Sequence, residues 1–442
     1  MWTMRKSTQK SILAVLGTTL LAGAVGCSHP AGRNAQQTEH PEDVTLKFIW
    51  WGSESRKEST LKVIELYQKE HPHIHFETES LANTGAVATQ LAVQTAGQTT
   101  ADIIQADYNF IYDYINRDLI EPLNAFTEDG TLNLSDMDKS YLLPGTKDDQ
   151  LYAMPIGNNS TMLIYDPQLL ASAGVPVPQE EYTIDKLYQT LKLLKQKIGR
   201  PDFYPLGNMI DVFYYLRARG ASMYNKEGTA LGYQDDRLMA DYFALNKQWR
   251  DEGLLGGSSA VAGNDKNHPI VSGHAAFYSV ATNAVSSLSK LAGRPLKLLP
   301  YPEVPGGQTG HFIKPSMFLA LSSYSKHKKE AAAFMNFFLN SEAANDLLKG
   351  ERGVPVSGKI AARLSANLDE AGKEQYRILD YLKTRSKPID APYPSSHVVV
   401  SKAYELALKQ VTDGKLTPEQ AAKQYSEQAK VYLGGAKEGA GK

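Results

Sequence analysis

Apolar and polar positions near the start of the globular part of the chain change from a period of two to a helical spacing. Residues 46–51, LKFIWW, alternate over a run rich in strand-forming side chains. Ser55 and Glu58 then stand in the spacing of a helix capping box, and the helical pattern that follows ends at Pro72. Alternation returns in residues 73–78. The pattern therefore predicts strand, helix and strand, which is the opening unit of an open α/β sheet.

The carboxyl end of the first predicted strand carries three side chains suited to a polar ligand with flat apolar faces. Open α/β sheets bind ligands at this end of their strands. Trp51 offers an indole for stacking, Ser53 permits close approach, and Arg56 supplies a guanidinium. The same residues also fit a second interpretation, in which Trp51 packs in the core and Arg56 is a solvated residue of the first helical turn.

Short apolar runs and amphipathic stretches alternate along the rest of the chain, which favours an α/β fold. The pattern predicts further strands at residues 101–107, 151–155, 160–165, 274–278, 296–299 and 317–321. It predicts further helices at residues 85–97, 166–173, 182–198, 238–253, 325–340 and 418–432. Because the globular part exceeds the size of one ordinary core, we expect two lobes.

The chain begins with a segment typical of a secretory signal. Residues 1–10 are basic, residues 11–22 are apolar but too short to span a bilayer, and the only cysteine, Cys27, stands where cleavage is expected. The pattern resembles a bacterial lipobox, so we expect residues 1–26 to be removed and Cys27 to carry a lipid anchor on the extracellular face of the cell membrane. Residues 27–43 are polar and predict a flexible tether. Ordinary secretion with a free thiol is the alternative.

Composition and motifs narrow the classes of function. The formal net charge is −1 and the pI is about 6.8, so nothing indicates nucleic acid as a partner. The sequence has no H-E-x-x-H, G-x-S-x-G or phosphate-binding P-loop, and we expect neither a cofactor nor a bound metal. A secreted glycan-cleaving enzyme would need two carboxylates across a cleft, and Glu54 with Asp107 or Asp211 is available without a distinctive spacing. A surface adhesin would need repeats or a low-complexity stalk, which the sequence lacks.

Several segments together resemble the family of bacterial extracellular solute-binding lipoproteins that serve carbohydrate ABC importers. After the Trp-Trp-Gly opening they are, in the family's order, AVQTAGQTTADIIQAD, DLIEPL, LYAMPIGNNSTMLIYDPQLLASAGV, VSGHAAF and SKHKKEAAAFMNFFLNSEAANDLLKGERGVPVS. The resemblance implies two α/β lobes joined by a hinge, with a ligand cleft between them. It also implies a monomer that binds an oligosaccharide and delivers it to a permease with a separate ATPase.

The resemblance further implies where the chain passes between the lobes. Crossings are expected at residues 158–161, 314–317 and 352–355. Lobe 1 would then comprise residues 44–158 and 317–351, and lobe 2 would comprise residues 159–316 and 352–442.

Rings and polar groups at the predicted strand ends form the candidate ligand site, because sugars are held by hydrogen bonds and by aromatic rings against their C–H faces. The expected rings are Trp51, Tyr108 and Tyr278. The expected polar residues are Ser53, Asp107, Asn158, Asn159 and Asp211. Structural alternatives exist, with Tyr278 as a core residue, Asp107 as a cap, and the two asparagines as turn formers.

The segments IKPSM, KHKKEAA, KGERGVPVS and YQDD resemble the branch of the family associated with rhamnogalacturonan-type oligosaccharides from pectin. This resemblance implies a uronate-containing ligand. Its carboxylate would need a cationic partner, and arginine makes the bidentate bond best. The candidates are Arg56, Arg217 and Arg352, with Lys314 as a fourth cation at a crossing.

Overall fold

The computed structural model of the protein describes residues 42–97, 99–257 and 266–434. The expected signal peptide, Cys27 and nearly all of the expected tether therefore lie outside the described residues. Within the described ranges, no helix is both long enough and apolar enough to cross a lipid bilayer.

Strands and helices alternate along most of the described chain. The strands are β1 (Val44–Trp51), β2 (Ile74–Leu81), β3 (Ile103–Ala106), β4 (Thr146–Lys147), β5 (Gln150–Leu151), β6 (Ala153–Pro155), β7 (Gly157–Asn159), β8 (Thr161–Tyr165), β9 (Phe277–Ala281), β10 (Lys297–Leu299), β11 (Lys314–Pro315), β12 (Phe318–Leu321) and β13 (Val354–Pro355). The helices are α1 (Glu54–Glu70), α2 (Thr84–Ala96), α3 (Ile111–Asn116), α4 (Asn124–Glu128), α5 (Lys139–Leu142), α6 (Pro167–Ser172), α7 (Ile184–Ile198), α8 (Val212–Ala218), α9 (Arg237–Asp251), α10 (Ala284–Ala292), α11 (Lys328–Asn340), α12 (Glu342–Leu348), α13 (Gly358–Ser365), α14 (Glu370–Lys383), α15 (His397–Thr412) and α16 (Pro418–Gly434).

A five-stranded sheet in the order β2-β1-β3-β12-β6 forms the centre of lobe 1. Strand β1 pairs in parallel with β2 and β3, whereas β12 pairs antiparallel with β3 and β6. Helices α1, α11 and α12 pack on one face, and α2 and α3 pack on the other. Because both faces are covered, Leu46, Phe48, Ile49 and Trp50 of β1 are all fully buried.

The predicted strand, helix and strand at the start of lobe 1 are confirmed, but α1 begins earlier than the sequence indicated. Ser53, rather than Ser55, caps the helix, because its Oγ accepts a hydrogen bond from the backbone N–H of Arg56 (3.2 Å). Gly52 permits the turn, since its φ is +151° and a Cβ there would lie 2.3 Å from Cδ of Arg56. The turn folds the Arg56 side chain back over the end of β1, where Nη1 donates to the Trp51 carbonyl (3.2 Å).

Lobe 2 is built around a three-stranded antiparallel sheet in the order β10-β8-β9. A large apolar cluster with α7, α8, α9, α15 and α16 covers one face, and a smaller cluster with α10 and α14 covers the other. Trp249 of α9 lies in the large cluster. The strand predicted at residues 274–278 is misplaced, because the backbone N–H groups of His274 and Ala275 bond to the carbonyl of Pro269 in a turn. Strand β9 therefore begins at Phe277.

Three short strands form a separate antiparallel sheet, β11-β7-β13, where the chain passes between the lobes. Strand β7 links β6 of lobe 1 to β8 of lobe 2, β11 leads from lobe 2 to β12, and β13 follows α12. We call β7, β11 and β13 the hinge sheet, and each expected crossing overlaps or adjoins one of its strands. The alternative that Asn158 and Asn159 form a turn is wrong, because both lie in β7 and pair with β11 or β13.

Candidate functional site

A cavity of about 1270 Å³ lies between the lobes at the carboxyl end of β1. Lobe 1 contributes Ser53, Arg56 and Glu351 to its wall, and lobe 2 contributes Asn283 and Gln375. The Ser53 side chain is exposed there, although its hydroxyl is engaged in capping α1. Small-molecule pockets usually measure about 300–1,000 Å³, so this cavity has room for more than one sugar ring.

Two of the three predicted arginines meet at one carboxylate beside this cavity. Arg56 donates from Nε and Nη2 to Glu351 at 2.8–3.1 Å. Arg352 lies with Nη1 3.8 Å from the same carboxylate, while its Nε donates to Gln105 (2.9 Å) and its Nη2 to Thr60 (2.7 Å). Burial, together with the nearby Arg56 charge, lowers the pKa of Arg352 to about 9. The cluster of Arg56, Arg352 and Glu351 therefore contains two positive charges and one negative charge.

The third predicted arginine, Arg217, is buried in lobe 2 and already has a carboxylate partner. Its guanidinium pairs with Asp390, and it also donates to the backbone carbonyls of Gly310 (3.1 Å) and Pro388 (2.9 Å). Burial raises the pKa of Asp390, and the Arg217 charge opposes that rise. Arg217 therefore holds the chain around Asp390 in place. Because its guanidinium is already paired, Arg217 is less available to a ligand carboxylate.

Residues 384–396, which join α14 to α15, contact both lobes, and we call this segment the strap. Tyr108 of lobe 1 donates its hydroxyl hydrogen to the carbonyl of Asp390 in the strap (2.5 Å). The Tyr393 ring packs edge-on against Tyr108 at 5.4 Å and stacks on Phe213 of lobe 2 at 4.9 Å. The strap thereby connects the two lobes through side chains far apart in the sequence.

A second cavity, of about 810 Å³, is lined by the strap and by both lobes. Its wall contains five aromatic rings, from Tyr112, Tyr141, Phe213, Tyr224 and Tyr393. Its polar lining includes Asp138, Ser140, Asn225, Lys226 and Lys387. Rings beside hydrogen-bonding side chains are the lining expected for a sugar, which has apolar C–H faces and polar edges.

Carboxylates from the two lobes interact with one lysine of the hinge sheet. Asp107 follows β3 of lobe 1, and Asp211 caps α8 of lobe 2 through a bond from the Tyr214 N–H (2.9 Å). Burial raises the pKa of both aspartates, and the charge of Lys314 opposes the rise in each. Among the described residues, the Lys314 ammonium makes no ion pair within 4.0 Å, so its donors remain available to a ligand. Asp107 also accepts from the Asn109 N–H (2.9 Å), which agrees with its alternative role as a cap.

The three predicted rings differ in their access to solvent. Trp51 is partly exposed at the end of β1, whereas Tyr108 is 3% and Tyr278 8% exposed. The Tyr278 ring packs against the His268 ring at 4.4 Å and lies directly against Gly207. Tyr278 is therefore a core residue. Trp51 is therefore the predicted ring with the best access to a ligand.

The two predicted asparagines are buried in the hinge sheet but differ in their hydrogen bonds. Asn159 Oδ1 accepts from Gln375 (3.4 Å) and Thr282 (3.5 Å). Asn158 is 4% exposed, and its Oδ1 receives no hydrogen bond from the described residues. A buried acceptor without a donor is costly, so Asn158 retains capacity for a partner.

Sequence reasoning missed several residues of this region, chiefly Glu351, Asp390, Tyr393 and Phe213. The signals were weak: Glu351 adjoins Arg352 in the GERGVPVS segment, and Tyr393 follows a proline-rich stretch. Within the described ranges, no group of three or more histidine, cysteine or acidic residues is placed to hold a metal ion. The arrangement is thus one of rings, hydrogen-bonding groups and unevenly paired charges between two lobes.

The family model of the bacterial extracellular solute-binding proteins matches residues 51–345, about two thirds of the chain. The chain belongs to this family. The matched residues of this solute-binding protein begin at the end of β1 and include α1, the hinge strands β7 and β11, and the β10-β8-β9 sheet of lobe 2.

Relatives and solved structures resemble this solute-binding protein over most of its length. It is 28% identical to a family 1 extracellular solute-binding protein from Alicyclobacillus acidocaldarius, with a TM-score of 0.70 over 90% of this chain and 100% of the other. It is 24% identical to a periplasmic oligogalacturonide binding protein from Yersinia enterocolitica in complex with saturated digalacturonic acid, with a TM-score of 0.75 over 88% and 98% of the two chains. A putative binding protein of Brucella abortus is 23% identical over 310 residues, covering 68% of this chain and 73% of the relative.

Proposed function

We propose that this solute-binding protein captures an oligosaccharide between its lobes and delivers it to an ABC importer. The observation that carries the proposal is the pair of cavities lined from both lobes by rings and hydrogen-bonding groups. A ligand that touches both lobes binds the closed arrangement more tightly than the open one. This difference in affinity shifts the population toward the closed conformation, which a permease would recognise as the ligand-bound form.

Within this proposal, the ligand contains a uronate, as in oligosaccharides derived from pectin. Support comes from the excess positive charge at Arg56 and Arg352 beside the larger cavity. Guanidinium groups bind carboxylates through paired, charge-assisted hydrogen bonds. The similarity to the oligogalacturonide binding protein is one of fold only. The proposal of an acidic ligand is therefore based on the charged residues of this chain.

The protein is further proposed to act on the extracellular face of the membrane, anchored through a lipid on Cys27. The support is the signal-like segment that ends at the only cysteine of the sequence. Replacing Cys27 with Ser should move the protein from the membrane fraction to the medium, because the lipid attachment site is lost. Retention of the variant in the membrane fraction would reject the anchor.

Glycan cleavage is the second candidate function, and one observation favours it. Asp107 and Asp211 both have raised pKa values, and a glycosidase needs a carboxylic acid with a raised pKa as its general acid. In the binding proposal, the same two side chains accept hydrogen bonds from sugar hydroxyls and perform no chemistry.

Calorimetry combined with analysis of the recovered sugar separates the two functions. The pure protein is titrated with oligogalacturonides and with neutral oligosaccharides, and the sugar is then recovered and chromatographed. Binding with unchanged sugar is expected, and shortened products would establish the enzyme instead. Asp211→Asn keeps an oxygen to cap α8 but removes the charge, so it should weaken binding without loss of folding. If no oligosaccharide binds at all, the proposed function fails.

A further inference from the structure

The side chain of Glu351 occupies the position in which Arg56 would hold a ligand carboxylate. Nε and Nη2 of Arg56, which we call its fork, donate to the Glu351 carboxylate. Nε lies 2.8 Å and 3.1 Å from the two carboxylate oxygens, and Nη2 lies 2.9 Å from one of them. This is the bidentate geometry in which guanidinium groups recognise carboxylates. The third nitrogen, Nη1, donates to the Trp51 carbonyl. Because all three nitrogens of Arg56 are engaged, an external carboxylate can use the fork only by replacing Glu351.

Arg352 makes the site more cationic than one carboxylate can satisfy. It is 3% exposed, and its Nε and Nη2 are bonded to Gln105 and Thr60. Its Nη1 makes no hydrogen bond to any described residue and lies 3.8 Å from Glu351. A buried guanidinium with an unbonded nitrogen is under-satisfied, so an anion that reaches both arginines gains more than Glu351 does.

Glu351 lies in the short segment before hinge strand β13, and its side chain has a route out of the contact with Arg56. The segment joins α12 to hinge strand β13, and three of its residues have positive φ values: Lys349 (54°), Gly350 (66°) and Gly353 (114°). The Glu351 side chain is 30% exposed and faces the 1270 Å³ cavity, which Ser53 and Asn283 line from opposite lobes. A carboxylate that leaves the fork therefore enters the same space through which a ligand arrives.

We propose that Glu351 is an internal stand-in for the ligand carboxylate, which a uronate displaces from Arg56 when the sugar binds. This inference rests on the proposed function and adds the exchange of anions at Arg56. Since Glu351 is three residues from β13, its release removes a contact that holds the segment leading into a hinge strand against Arg56 of α1. The exchange thereby couples recognition of the acidic sugar to the hinge. A neutral sugar cannot replace Glu351 and leaves this contact in place.

The proposal predicts that removing a charged residue from the site improves binding. Glu351→Gln should bind digalacturonate about five- to tenfold more tightly, because the competing anion is lost. Galactobiose, which carries a hydroxymethyl group in place of each carboxylate, should bind the variant and the wild type equally. Arg56→Met should weaken binding of digalacturonate at least tenfold. Glu351→Asp, which keeps the charge on a shorter side chain, should show an intermediate gain.

A matched control is Glu121→Gln, since Glu121 is also 30% exposed, also lies in lobe 1 and pairs with Lys328 at 2.9 Å. It should leave the affinity for digalacturonate unchanged. Titration calorimetry supplies the affinities, and thermal unfolding shows that each variant is folded. Equal or weaker binding of digalacturonate by both Glu351 variants would overturn the proposal. Binding of neutral oligosaccharides without digalacturonate would also overturn it, together with the uronate ligand, but would leave the proposed capture of an oligosaccharide standing. Absence of all oligosaccharide binding would reject that capture as well.

Discussion

Removing the hydroxyl of Tyr108 should loosen the strap from lobe 1. The hydroxyl makes a 2.5 Å bond to the Asp390 carbonyl, and the residue is 3% exposed, so water cannot readily replace it. Tyr108→Phe keeps the ring against Tyr393 and removes only this bond. Loss of one such hydrogen bond costs about 1.5 kcal/mol, which is roughly a tenfold increase in the population of strap-open molecules.

Amide hydrogen exchange tests this effect locally. In the folded protein the Lys387 N–H of the strap donates to the His311 carbonyl (2.9 Å), and its exchange should accelerate about tenfold in Tyr108→Phe. Tyr112→Phe is the control, because it removes a hydroxyl bond to the Thr146 carbonyl (3.3 Å) that does not involve the strap. If the strap exchanges equally fast in both variants, the Tyr108 bond does not hold it.

Two further predictions concern the ligand and the acid stability of the fold. Trp51→Ala should weaken oligosaccharide binding by about 1–3 kcal/mol through loss of an aromatic stack, and unchanged affinity by calorimetry would place the ring outside the site. Burial, and to a lesser extent the Arg217 charge, lowers the pKa of His311 to about 4. Between about pH 4 and 6.5 the unfolded chain therefore binds more protons at this residue than the folded chain does. His311 thus makes the free energy of unfolding fall as the pH drops through that range. Between pH 7.5 and pH 5, the free energy of unfolding measured with urea should therefore fall by about 2 kcal/mol less in His311→Asn than in the wild type. An identical fall in both proteins would contradict the lowered pKa of His311.

Local patterns predicted the elements well, because a strand or helix depends on neighbouring side chains. The alternation in residues 46–51 identified β1, and the amphipathic pattern in residues 182–198 identified α7. Errors arose where a distant contact decided the outcome. The N–H groups of residues 274–276, for example, bond to the carbonyls of Pro205 and Pro269 instead of extending β9.

The site was predictable in its residue types but less so in its pairings. The sequence identified Arg56, Arg217 and Arg352 as cations, yet it could not show which of them already had partners. Glu351 is 295 residues from Arg56, and Asp390 is 282 residues from Tyr108. Such contacts depend on how the lobes and the strap pack, and periodicity contains no information about them.

Small-angle scattering with and without ligand tests the central claim, that a sugar is captured by closure of the two lobes. The hinge sheet joins the lobes through three short strands, and in the proposed mechanism the lobes approach about it to complete the contacts with the ligand. The radius of gyration should therefore be smaller with a saturating oligosaccharide than without it. An unchanged scattering curve at saturation, with binding confirmed in the same sample, would contradict capture by closure.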